Sequence, residues 1–301
     1  MSTATAVISR SGPRATRRRE LRAVVLVLVS AAGFGSLAVL AQLAYRAGVS
    51  VLGLLSGRFL VAAAMLWLIA IMRGRPLPRR RGLCIGVSLG AGYSSMALCF
   101  AASLRHLEAN LADLLLFAYP VLVSIGAVAL GRDRWNRRVA AALAVAGAGI
   151  ALALVGGGSI DPLGVTLALA AAAIYAAYVL ASSSLLGETD PLVLAALVAS
   201  GAALVFCLDA GAAGQLAPRG GLHGVALVIA VALSSSVLGT TAFLAGVRRL
   251  GASRASIVSS AEPALTAIFA FAAFGDRFGA IQLVGAGLVL ASVPILELNR
   301  R

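Results

Sequence analysis

Residues 243–277 read FLAGVRRLGASRASIVSSAEPALTAIFAFAAFGDR, and they lie without a gap over residues 100–134, FAASLRHLEANLADLLLFAYPVLVSIGAVALGRDR. The offset is 143 residues, and 14 of the 35 positions are identical. Shared alanines follow from composition. Phe100/Phe243, Arg105/Arg248, Leu107/Leu250, Pro120/Pro263, Asp133/Asp276 and Arg134/Arg277 do not. The chain therefore carries an internal duplication, and each copy holds a proline at the same point of an apolar run.

Working outward, the other apolar runs have the same length. The chain has 301 residues, 60% of them hydrophobic and 12% charged, whereas soluble domains are about 45–50% apolar and about 25% charged. Runs of roughly 20 apolar residues suit a helix crossing a bilayer. They predict an all-α membrane protein with ten transmembrane helices near 21–43, 49–72, 82–103, 109–130, 138–156, 163–182, 191–210, 222–246, 253–274 and 279–298. The breaks carry turn chemistry or charge, as in RGRPLPRRRG (73–82), GGGSIDP (156–162) and GETDP (187–191). Arg17, Arg18, Arg19 and Arg22 ahead of the first run resemble a signal peptide, but a run reaching Leu43 is too long for one and reads as a first transmembrane helix.

A net charge of +14 on a soluble protein would suggest nucleic acid. Here all 25 basic residues are arginines, clustered between apolar runs. With the N-terminus inside, 20 of them fall on one side and only Arg46, Arg105, Arg219 and Arg277 on the other; Arg58 lies within the second span. This imbalance predicts cytoplasmic N- and C-termini and a place in the cell inner (cytoplasmic) membrane, with the lipid bilayer as partner and no nucleic acid. Residues 1–20 form a basic cytoplasmic tail, 21–156 a first five-helix repeat and 163–298 a second. Five is odd, so the two repeats must cross the membrane in opposite senses, which is the plan of many secondary transporters.

Glu262 and Pro263 stand about midway along the ninth span. A charge facing lipid there costs at least about 2.5–3.5 kcal/mol, and Pro263 leaves the carbonyl of Ser259 without its helical partner. Both anomalies point to a helix kinked at a central cavity, with Pro120 as the matching kink in the first half. Arg58 is the one base inside a span; a packing ion pair with Glu262 and contact with a solute are both open to it. Tyr93, Tyr119, Tyr175 and Tyr178 are further candidates, and Tyr175 and Tyr178 share a helix face. Ser259 and the other hydroxyls of Ser234–Ser236 and Ser260 serve helix packing or line a path. Asp113, Asp209 and Glu297 read as rim residues, and His106 and His223 as solvated. Cys84, Cys99 and Cys207 lack metal-ligand spacing, so neither a metal nor another cofactor is expected. The GFG at 33–35 and GGG at 156–158 lack the strand–glycine–helix context of a nucleotide site.

The chain resembles the EamA-type domain of the drug/metabolite transporter superfamily. The resemblance rests on the two repeat stretches, on GRF at 57–59 and on ALAAAAIYAAYVLASSSLLGETDPLVLAAL at 168–197. It implies a ten-helix carrier of small organic solutes. In the first half the carboxylate–proline pair becomes Tyr119–Pro120, so it does not imply two equivalent acidic sites. The expectation is a secondary transporter, not an enzyme, exporting a metabolite or amino-acid-like solute by alternating access. Protons are a candidate coupling ion, and oligomeric state is left open. The rivals are a non-transporting assembly protein and a lipid-modifying membrane enzyme.

Overall fold

The computed structural model describes residues 13–103, 106–107, 115–132, 134, 137, 140–141, 143–145, 147–148, 161–215, 220–274 and 288. The helices are α1 (Pro13–Arg46), α2 (Val51–Met72), α3 (Arg80–Ser103), α4 (Tyr119–Ala129), α5 (Pro162–Leu185), α6 (Pro191–Ala212), α7 (Gly221–Val231), a π-helical segment (Ala232–Gly239), α8 (Thr240–Leu250), α9 (Ala252–Ser259) and α10 (Glu262–Phe274). Among the described residues, seven helical stretches are long and apolar enough to cross a membrane. They are 18–46, 51–72, 80–100, 162–185, 191–212, 221–250 and 252–274. The expected fifth span lies largely outside the described residues, and so does the tenth. So do Asp113 and Glu297.

Local chemistry explains the ends. Asp161 and Asp190 each stand just before a proline and cap the helix that follows, accepting from the Leu163 N–H at 2.8 Å and the Leu192 N–H at 2.9 Å. An N-cap aspartate satisfies a free N–H, and proline in the first turn forfeits nothing. Ser50 caps α2 in the same way through the Gly53 N–H.

In a bilayer, lipid is as apolar as leucine, so helices associate through close packing and polar contacts rather than through the hydrophobic effect. The packing follows the duplication. α3 lies on α5, and at the repeat-related place the π segment and α8 lie on α1. α4 lies on α5, as α10 lies on α1; α3 lies on α6, as the π segment and α7 lie on α2. α2 against α6 maps onto itself. The halves are thus interleaved, and α6 runs through the middle with Leu192–Ala199 buried on every side.

The fourth and ninth spans are each interrupted by two turn residues just ahead of the proline-bearing turn, with the backbone still right-handed helical at Ala118 and Ser260. The eighth span is continuous over 221–250 but wound as a π helix in its middle, a form often found at functional sites.

Candidate functional site

The breaks occupy equivalent places. Phe117 and Ala118 form the first, Ser260 and Ala261 the second, and each lies 143 residues from the other. The new helices begin at Tyr119 and Glu262, which puts Pro120 and Pro263 in the first turn. There proline forfeits no intrahelical bond, whereas inside a continuous helix it would remove one and clash. The cost appears upstream, where the carbonyls of Leu116 and Ser259 lose their helical donors. Such carbonyls are tolerated at membrane depth only against protein or water.

The first residues after the two breaks lie within electrostatic reach of each other. The hydroxyl of Tyr119, a residue only 2% exposed, lies toward Ser259 and is within electrostatic reach of the Glu262 carboxylate, yet it makes no hydrogen bond of good geometry. Glu262 also acts on Tyr175. Around them the rings form a row. Tyr119 meets Tyr175 edge-on with centroids 4.6 Å apart, Tyr175 stacks on Tyr178 at 5.7 Å, and Tyr93 meets Tyr178 at 5.6 Å and Tyr175 at 6.2 Å. Tyr93 in turn meets Phe59 at 5.7 Å, and Phe59 stacks on Phe206 at 5.6 Å. Edge-to-face and offset pairs at these separations are each worth about 0.5–1.5 kcal/mol beyond burial. The row is therefore a rigid wall.

Arg58 stands at the far end. It is 5% exposed, its guanidinium lies 4.4 Å from the Phe59 ring centre, and its Nε has no partner. It is also within electrostatic reach of Tyr45. The row thus has a buried base beside Phe59 and, toward Tyr119 and Tyr175, an acid within electrostatic reach. All seven residues expected from the sequence fall on or beside it: Glu262, Arg58, Tyr93, Tyr119, Tyr175, Tyr178 and Ser259.

Helix packing fixes the acid's position. A Cβ on Gly35 would meet the Thr266 nitrogen at 3.0 Å and the Glu262 carbonyl at 3.4 Å, and one on Gly33 would run into the Ser234 carbonyl in the π segment. The GFG of α1 is thus a docking surface between the π segment and α10. Thr266 Oγ1 donates to the Glu262 carbonyl at 3.1 Å. α4 packs on α9, and the buried Ser124 and Ser253 hydroxyls bond across them at 2.9 Å.

Other features were not foreseen. His106 is not simply solvated: its Nδ1 lies 2.8 Å from Asp161 Oδ2. Arg75 lies 3.3 Å from Asp190 Oδ2. Each aspartate that caps a second-half helix therefore also ties down a first-half loop, and the two Asp-Pro pairs were the signal available. The Asp161 carboxyl is held below the usual aspartate range, mostly by the Leu163 N–H and then by His106. Phe59 and Phe206 joined the row without any such signal beyond the neighbour of Arg58. Among the described residues there is no group of three or more His, Cys, Asp or Glu that could hold a metal.

Comparison with known proteins identifies the family and the fold. The model of the EamA-like transporter family matches residues 21–155 and again 162–297. The uncharacterized transporter YcbK of Bacillus subtilis (strain 168) is 28% identical over 305 residues, covering 94% of this chain and 95% of that one. The probable terminal-alkyne amino-acid exporter of Streptantibioticus cattleyicolor is 30% identical over 265 residues, covering 84% and 86%. A solved crystal structure only 18% identical has the same fold, with a TM-score of 0.79 over 92% of this chain and 96% of its own. With two copies of the family's repeat spanning a multi-pass helical membrane protein, the chain belongs to the EamA-like transporter family.

Proposed function

We propose that the protein is a secondary transporter that exports a small amino-acid-like solute across the cytoplasmic membrane by alternating access. Ten helices in two inverted five-helix halves would rock about the paired breaks, with both termini cytoplasmic. The observation that carries this reading is the pair of breaks at equivalent repeat positions, with Tyr119 of the first in a buried aromatic row and Glu262 of the second within electrostatic reach of it. Broken helices meeting at a repeat interface are how such carriers build a midplane site. The relative named as an amino-acid exporter supports the solute class, and the arginine distribution supports the orientation. Glu262, Arg58, Tyr93, Tyr119, Tyr175 and Tyr178 would contact solute, Ser259 would complete the wall, and Glu262 would also be the place for a coupling proton.

The test is counterflow. Proteoliposomes preloaded with a mixture of the twenty amino acids are diluted into labelled single amino acids. The reading expects saturable accumulation of at least one label above protein-free vesicles. Accumulation no greater than in protein-free vesicles for every label would contradict it.

A further inference from the structure

The helix that carries the π segment holds one residue more than its counterpart α3, and the buried positions show where. From Phe100/Phe243 onward the halves match at an offset of 143. Upstream, Gly86, Gly90 and Ser94 are buried along α3. At 143 their matches would be Ile229, Leu233 and Val237, of which Ile229 is 40% and Leu233 41% exposed. At 142 the matches are Val228, Ala232 and Ser236, all buried, and Gly82 falls on Gly224. Met96 and Gly239, both buried, return to 143. Between Ser94/Ser236 and Met96/Gly239, α3 has Ser95 and the π segment has Val237 and Leu238. Ser95 and Leu238 are both exposed, which leaves Val237 as the extra residue. A π turn, bonded i to i+5, is the form that takes up one residue more per turn.

The seams that these two helices make also differ. In the first half, a Cβ on Gly90 of α3 would run into the Val198 carbonyl of α6, and one on Gly201 of α6 into the Val87 carbonyl. Backbone there lies directly on backbone. In the second half Ala232 stands in the place of Gly90, wholly buried. The Ser-Gly pair at 200–201 recurs at 56–57, and a Cβ on Gly57 would meet the Val228 side chain at 2.8 Å and no backbone. This seam is the wider one. Gly57 faces α7 and Phe59 faces Phe206 of α6. Arg58 is about 100° round the helix from each, so its buried side chain is directed between α7 and α6. In the tight seam the residue after the glycine is Ala202. We propose that Val237 is a positioning residue: the π turn built on it holds the seam between α2 and α7 open, and Arg58 occupies the room. π turns bend the helices that contain them, and a long side chain forced into a closed seam is destabilising. The inference rests on the transport reading only for what Arg58 does to a solute; its seat stands on packing.

The test removes Val237. The deletion is made together with Ala232→Gly, which gives the shortened helix the glycine that α3 has in that place, and yield and thermal unfolding are measured in detergent. This variant is expected to lose about fivefold in yield or about 5 °C in Tm. Adding Arg58→Ala, which copies Ala202, should recover at least half of the loss, measured against the same substitution in the undeleted protein. Adding Arg58→Met, which removes the charge but keeps the length, should recover none. Coupling of this sign marks a turn and a side chain that need the same space. Deletion of Ala245, in the stretch where the halves match without a gap, is the control, and Arg58→Ala should not rescue it. The proposal is overturned by a Val237 deletion with natural yield and Tm, or by one that Arg58→Ala fails to rescue. Equal rescue by Arg58→Met, or equal rescue of the Ala245 deletion, overturns it too. Counterflow of the natural protein keeps the two readings apart. Rescue without flux removes transport and leaves the seat of Arg58, whereas flux without rescue removes the seat and leaves transport.

Discussion

The broken helices at 115–129 and 252–274 share a backbone and differ in chemistry. Both pause for two residues, both restart with proline in the first turn, and both lay the restart against the other half. One restart carries Tyr119, with an uncharged ring that joins an aromatic wall; the other carries Glu262. Duplication copied the architecture, and the side chains then parted company. On the proposed function, a backbone symmetric about the break suits motion between two states, while a single carboxylate gives the solute one end to recognise.

The strongest attempt to break this comparison is to restore the symmetry. Tyr119→Glu would place a second carboxylate at a buried position within electrostatic reach of Glu262. Like charges sharing a buried site cannot both ionise, and the substitution is expected to cost about 3 kcal/mol or more. Purified yield should collapse, or Tm should fall by about 5 °C or more. A variant with natural yield and Tm would mean that Tyr119 and Glu262 are out of each other's electrostatic reach.

A smaller effect tests the seam between the halves. Ser124 and Ser253 bond across α4 and α9, both of them buried. Replacing either with alanine should cost about 1 kcal/mol. The double change should cost less than the two single changes added together, because the shared bond is lost only once. Strict additivity in thermal unfolding would show that the bond contributes nothing.

The smallest effects belong to the two loop ties. Arg75–Asp190 is partly exposed, and Arg75→Gln should cost less than about 1 kcal/mol. Asp161 responds to pH. Its carboxyl is held low in the folded protein, so its contribution is present above the unfolded aspartate value of about 3.9 and is lost as pH falls through the lower folded value. Asp161→Asn should therefore flatten the fall of Tm below about pH 4 and change little at pH 7. Equal steepness in the two proteins would discount the tie.

Much of this was legible in the residues. Apolar runs and arginine clusters delimit the spans, and the ungapped repeat predicts paired packing. Glu262 and Arg58 stand out because charge is costly inside a span. The breaks were harder. Proline in an apolar run signals a lost N–H, but the run does not say whether the helix bends around that loss or stops and restarts. The row of rings was half legible: Tyr175 and Tyr178 share a face by spacing alone, but Tyr93, Tyr119 and Phe59 come from other spans. His106 read as solvated because its partner, Asp161, is 55 residues away. The π segment has no marker in its composition.

The central claim is that the two matched positions do different work, and one measurement addresses it most directly. Counterflow of the preferred solute is recorded between pH 5.5 and 8.5 for the natural protein, Glu262→Gln and Tyr119→Phe, each reconstituted at equal density. Glu262→Gln keeps shape and hydrogen-bonding capacity but loses the charge, so flux should fall about tenfold or more, the size of a lost charge-assisted contact. Any remaining flux should no longer vary with pH. Tyr119→Phe keeps the ring and should lose about fivefold at most, with the natural pH profile retained. If Glu262→Gln transports at the natural rate with the natural profile, or if the two variants lose flux equally, the division of labour between the halves is wrong.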